Sequence, residues 1–64
     1  MTYQDVKYEL EDGIVTITMN RPDVMNALSE NLEAEIHTAF DQADADPEAR
    51  VIILTGEGAA FCAG

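Results

Sequence analysis

Val51-Ile52-Ile53-Leu54-Thr55-Gly56-Glu57-Gly58-Ala59-Ala60-Phe61-Cys62-Ala63-Gly64 closes the 64-residue sequence, and its first four residues are all large and apolar. An unbroken apolar run bounded by turn residues predicts a strand buried on both faces. Strands of that kind belong to parallel sheets, and in open α/β sheets ligands sit beyond the carboxyl ends of the strands. The glycine-rich segment after Leu54 is therefore where a site is expected.

Working backward, residues 29–45 carry the helical period. Leu32, Ile36, Phe40 and Ala43 fall three or four apart on one stripe, with Ala39 beside it. Glu30 and Glu33 suit the positive end of the helix dipole. Asp41, Asp44 and Asp46 sit at the unfavourable end, each costing about 0.3–1 kcal/mol at low salt, so packing of the stripe must outweigh them. Asn26 or Ser29 is available as the cap, and Pro47 marks the end of the helix. Further upstream, Val6, Tyr8 and Leu10 alternate with charged residues, and Val15, Ile17 and Met19 alternate with threonines. Asp12-Gly13 between them predicts a hairpin, because Gly accepts positive φ without a Cβ clash. Pro22 then takes the chain out of the sheet. Strand, helix, strand in this order is a crossover unit, expected to be right-handed.

Composition bounds the rest. A chain this short buries only about 60% of the surface its unfolded form exposes, and one cysteine allows no internal disulfide. The expectation is part of something larger, or a protomer dependent on neighbours. At 47% hydrophobic residues it is not of a disordered type. No signal-peptide layout and no run of membrane-spanning length is present, so a cytoplasmic protein with a free thiol is expected. Thirteen acidic residues against three basic ones, a formal net charge of -10, argue against a nucleic-acid partner. Such acidity fits a halophilic host, or is balanced by further sequence.

Isolated chemistry-bearing residues read as structural. His37 lies off the apolar stripe with no carboxylate placed by spacing. Cys62 has nothing basic nearby to lower its pKa and reads as a small filler. The acidic run from Asp41 onward lacks calcium-loop spacing, and Gly56-Glu57-Gly58 is too short for a phosphate-binding fingerprint. Small residues at Ala59, Ala60, Ala63 and Gly64 suit close approach of backbone to a ligand, with backbone N–H groups arranged as an oxyanion hole. They suit an ordinary tight turn equally well.

Two segments taken together carry a resemblance. Asn20-Arg21-Pro22 followed by Asn26-Ala27-Leu28-Ser29, and Val51-Ile52-Ile53-Leu54-Thr55-Gly56 followed by Gly58 and Phe61-Cys62-Ala63-Gly64, resemble the NRP…NALS segment and the strand with FxAG loop of the crotonase (enoyl-CoA hydratase/isomerase) superfamily. The resemblance covers essentially the whole chain. It implies an α/β fold, with residues 1–64 as the N-terminal fragment of a single crotonase-like domain. By the same resemblance these residues are expected to form the first ββα unit of a ββα spiral: hairpin, crossover helix and buried parallel strand. It also implies assembly as a homotrimer or hexamer.

The implied substrates are acyl-CoA thioesters, with coenzyme A part of the substrate and no separate cofactor or metal. In this family two backbone N–H groups stabilise a thioester enolate, donors of a kind typically worth about 2.7–4 kcal/mol each. The first donor would follow Gly64, so no catalytic residue is expected within the chain. By the same resemblance Met25, Ala27 and Leu28 map to the CoA site, and Ala63 and Gly64 to the wall of the acyl pocket. Met25 occupies a position where many members carry a basic residue suited to CoA phosphates. The expected activity of the family member is hydration of 2-enoyl-CoA. Isomerisation, dehalogenation, decarboxylation and thioester hydrolysis use the same oxyanion hole. The alternative from another class is a small non-catalytic interaction module that pairs its open sheet edge with a partner.

Overall fold

The computed structural model describes residues 3–24 and 26–58, with Pro22 described by its backbone alone. Strands β1 (Val6–Glu11) and β2 (Ile14–Met19) form an antiparallel hairpin, helix α1 (Glu30–Ala45) follows, and strand β3 (Val51–Gly56) returns parallel to β2. The sheet order is β1-β2-β3. Asp12 and Gly13 both take positive φ, 53° and 81°, the geometry of a two-residue turn whose twist matches that of the flanking strands. A Cβ on Gly13 would sit 3.3 Å from Arg50 Cδ. Tightness there follows from the Gly13 carbonyl accepting the N–H groups of Arg50 and Val51, at 2.7 and 3.2 Å, where β3 begins.

Register puts Val6, Tyr8 and Leu10 opposite Met19, Ile17 and Val15 on one face. Ile52 and Leu54 lie opposite Val15 and Ile17 on the same face. Helix α1 packs on β1 and β2, closing a core of Val6, Val15, Ile17, Met19, Leu32, Ala39 and Ala43. The helical stripe is narrower than the spacing suggested. At about 100° per residue, Ala39 and Ala43 lie within about 20° of Leu32, whereas Phe40 is rotated by about 80°. Phe40 is accordingly 36% exposed and Ile36 only half-buried.

The expectation that β3 is buried on both faces is corrected. Val51, Ile52 and Ile53 are 52, 37 and 45% exposed. The helix packs on β1 and β2, and β3 is the edge strand on the side away from β1 in the described sheet.

Of the two candidate caps, Ser29 performs the role. Its Oγ accepts the Leu32 N–H at 3.1 Å, with the extended backbone of an N-cap residue. At the other end the Asp46 carboxylate accepts the Glu48 N–H at 2.9 Å and its carbonyl accepts that of Ala49. This acidic residue is thereby part of the turn that leads into β3 rather than an uncompensated charge. Ser29→Ala is expected to cost about 1 kcal/mol, read as a lower urea midpoint at unchanged m-value.

Candidate functional site

Strands β2 and β3 run parallel, so their carboxyl ends lie at the same edge of the sheet, the position where open α/β sheets place ligands. The chain leaves β2 through Asn20 and Arg21, makes a 3-10 turn at Pro22–Val24, and reaches α1 through Ala27, Leu28 and Ser29. This loop is closed by its own backbone. The Arg21 carbonyl accepts the N–H groups of Val24 and Asn26 at 3.2 and 2.8 Å, and the Val24 carbonyl accepts that of Ala27 at 3.0 Å. The Arg21 guanidinium donates to the Ala27 carbonyl at 2.6 Å, which consumes part of a side chain otherwise suited to an anionic ligand.

Asn26 occupies the centre of this loop. It is fully buried and left-handed, with φ 57°, a conformation that Asn tolerates better than most non-glycine residues. Its Oδ1 accepts the Arg21 N–H at 2.7 Å, and its Nδ2 donates to the Glu57 carbonyl at 2.9 Å. Because one partner is an N–H and the other a carbonyl, the amide orientation is fixed by the network. Glu57 itself extends the sheet, donating its N–H to the Met19 carbonyl at 2.8 Å. Gly58 follows with φ 88°, a turn that any side chain would strain.

The segments singled out for the site are thus joined, although 31 residues separate Asn26 from Glu57. Ala27 is half-buried beside Asn26. Leu28, 47% exposed, and the exposed Val24 present apolar surface at the same edge. Met25, Ala63 and Gly64, and with them Cys62, lie outside the described residues. His37 is exposed on α1. The sequence offers Asn26 as a possible cap and as the first residue of the Asn26-Ala27-Leu28-Ser29 segment, and gives no direct sign of its bridging role. The only local hint is an Asn at a loop position, a residue that accepts positive φ.

Among the described residues no group of three or more His, Cys, Asp or Glu is arranged to hold a metal ion, and no helix is long and apolar enough to cross a membrane. The Glu57 carboxylate pairs with Lys7 at 3.2 Å, with both side chains about half exposed. Exposed pairs of this kind contribute about 0–1 kcal/mol. A concavity lies on the outer sheet face, lined by Glu9, Glu11, Asp12, Ile14, Thr16 and Ile53. Its three carboxylates make it unsuited to a phosphate-bearing ligand. The edge where the Asn26 and Glu57 loops meet is the better candidate.

Comparison with known proteins finds relatives of this chain. The family profile described as enoyl-CoA hydratase/isomerase matches residues 9–64. A protein named probable enoyl-CoA hydratase from Rhodobacter capsulatus is 45% identical over 64 residues, all of this chain and 24% of that protein. A hydroxycinnamoyl-CoA hydratase-lyase from Pseudomonas fluorescens is 42% identical over 62 residues, 97% of this chain and 22% of that protein. A crystal structure of an enoyl-CoA hydratase/isomerase from Mycobacterium paratuberculosis superimposes with a TM-score of 0.96 at 40% identity, covering 98% of this chain and 25% of that one. The chain therefore spans about a quarter of the length of the relatives it matches.

Proposed function

The chain belongs to the enoyl-CoA hydratase/isomerase family, and from that premise we propose that it forms the N-terminal ββα portion of an enzyme adding water to 2-enoyl-CoA thioesters. One observation carries this reading. The two segments that resemble the family's CoA-side and oxyanion-side motifs meet at the carboxyl ends of β2 and β3, through the 2.9 Å bond from Asn26 to Glu57.

In this reading Met25, Ala27 and Leu28 form one side of the CoA site. Ala63 and Gly64 form the wall of the acyl pocket, and the first oxyanion donor comes from the backbone immediately beyond. Preorganised N–H donors of that kind stabilise the charge that develops on the thioester oxygen. Coenzyme A belongs to the substrate, and no separate cofactor or metal is required. General acid and base groups and the second donor are supplied from outside these 64 residues, and so is the choice among hydration, isomerisation and related reactions. The assembled enzyme is a cytoplasmic homotrimer or dimer of trimers of fatty acid metabolism. The exposed apolar faces of β3 then pack against the remainder of the fold.

The test is turnover of crotonyl-CoA, followed by loss of the enoyl-thioester absorbance. The intact protein that carries this chain is expected to hydrate it, and the 64-residue chain alone is not. Absence of turnover by the intact protein on 2-enoyl-CoA thioesters of short, medium and aromatic acyl groups would sink the hydratase reading. Hydration by the isolated chain would show that the catalytic groups lie within it.

A further inference from the structure

We propose that Asn26 is a positioning residue, fixing the loop after β3 against the loop after β2 so that the thioester and CoA sides of the site keep one geometry. Its kinetic consequence rests on the hydratase reading above. The geometric argument does not.

The β2 loop is closed by backbone bonds through Arg21, Val24 and Ala27, and the Asn26 Oδ1 adds one more by accepting the Arg21 N–H. The other end of the same amide, Nδ2, reaches across to the Glu57 carbonyl. The peptide units on both sides of Glu57 are thereby fixed, one by Met19 of β2 and the other by Asn26. The next residue, Gly58, is where the chain changes direction with positive φ. A small rotation of the Glu57 carbonyl is therefore transmitted to everything that follows the turn. Complete burial keeps bulk solvent from the Asn26 amide, so losing its partners leaves buried polar groups to be satisfied locally. A misplacement of about 1 Å in a reacting geometry is enough to cost about 100-fold in rate.

Asn26→Asp keeps an acceptor for the Arg21 N–H but sets a carboxylate oxygen against the Glu57 carbonyl. Asn26→Gly keeps the left-handed backbone and deletes the bonds to Arg21 and Glu57. In the intact protein, with crotonyl-CoA as substrate and rates normalised to folded sites, Asn26→Asp is expected to lower kcat about 10- to 100-fold. Its KM should stay within about twofold of the parent, whereas Asn26→Gly is expected to raise KM as well. Amide hydrogen exchange at Glu57 and Gly58 is expected to accelerate about tenfold or more in both variants, with α1 unchanged. A residue that only fills space would lower the melting temperature and leave kcat per folded site at the parental value. That result in Asn26→Asp overturns the proposal, whatever the exchange shows. If the parent itself does not hydrate crotonyl-CoA, the hydratase reading fails separately. Exchange then decides, and parental rates at Glu57 and Gly58 overturn the positioning role.

Discussion

Leu32→Ala is expected to destabilise the protein by about 2–5 kcal/mol, the largest effect of any single truncation in α1. Leu32 is the one large side chain among the three helix residues that are fully buried, the other two being Ala39 and Ala43, with half-buried Ile36 packed against the cluster. Alanines allow the helix to sit close over β1 and β2, but they are too small to fill a vacated site. The loss therefore includes the cavity as well as the transfer term. Phe40→Ala provides the contrast. Phe40 is larger than Leu32 but 36% exposed, and its truncation is expected to cost less than Leu32→Ala despite removing more atoms. Leu32→Met, which conserves volume, should stay within about 1.5 kcal/mol of the parent. Urea midpoints at a constant m-value measure all three. An equal or larger loss at Phe40 would mean that the helix is rotated from the orientation described.

The same geometry explains what was legible in the sequence. Element types came through because each rests on local chemistry: the alternation at Val6, Tyr8 and Leu10, the Asp12-Gly13 turn, and the apolar run of β3. The parallel pairing of β3 with β2 followed from the crossover order. Which helical residues are buried was less accessible, since spacings of three and four are both allowed. The series Leu32, Ile36, Phe40 drifts by about 40° per step away from the seam that Ala39 and Ala43 keep. Burial of β3 was misjudged for a different reason. A continuous apolar run shows that a strand is able to be covered on both faces, not that its own 64 residues supply the cover. The exposed Val51 and Ile53 point outward beside Ile14 and Thr16, and nothing in α1 reaches that side.

At the candidate site the motifs were legible and the link between them was not. Asn26 and Glu35 are unremarkable by spacing: one is a loop Asn, the other a third glutamate in a helix that also has Glu30 and Glu33. Both act on partners about 30 residues away, Asn26 on Glu57 and Glu35 on the N-terminal segment. No local pattern encodes a hydrogen bond over such a separation. It becomes visible only when the sheet brings the ends of the chain segments together. The two residues resemble each other physically, since each uses one polar side chain to satisfy backbone groups that no strand neighbour reaches.

Glu35 supplies the second prediction. Its carboxylate accepts the N–H groups of Gln4, Asp5 and Val6 at 3.0, 2.8 and 3.2 Å, along with an Asn31 amide N–H at 3.1 Å. Asn31 in turn donates to Asp5 at 2.8 Å, so the start of β1 is anchored to α1 through one charged group. Burial acts to raise the Glu35 pKa. The donors from Gln4, Asp5, Asn31 and Val6 outweigh it, and the net displacement is downward from the ordinary glutamate value of 4.5. A depressed folded-state pKa means the native state favours the carboxylate. The stabilisation is thus fully present above the unfolded value and is lost as pH falls through the lower, folded one. Glu35→Gln keeps the shape and one acceptor oxygen but removes the charge. It is expected to cost about 1–3 kcal/mol at neutral pH, toward the lower end because Gln4 is exposed. The difference in unfolding free energy between parent and Glu35→Gln should stay flat from about pH 7 to about pH 5, then shrink as pH falls below the ordinary glutamate range. Subtracting the two curves removes the titration of the other carboxylates. A gap that persists unchanged into acid would mean that the three N–H groups are held by shape rather than by charge.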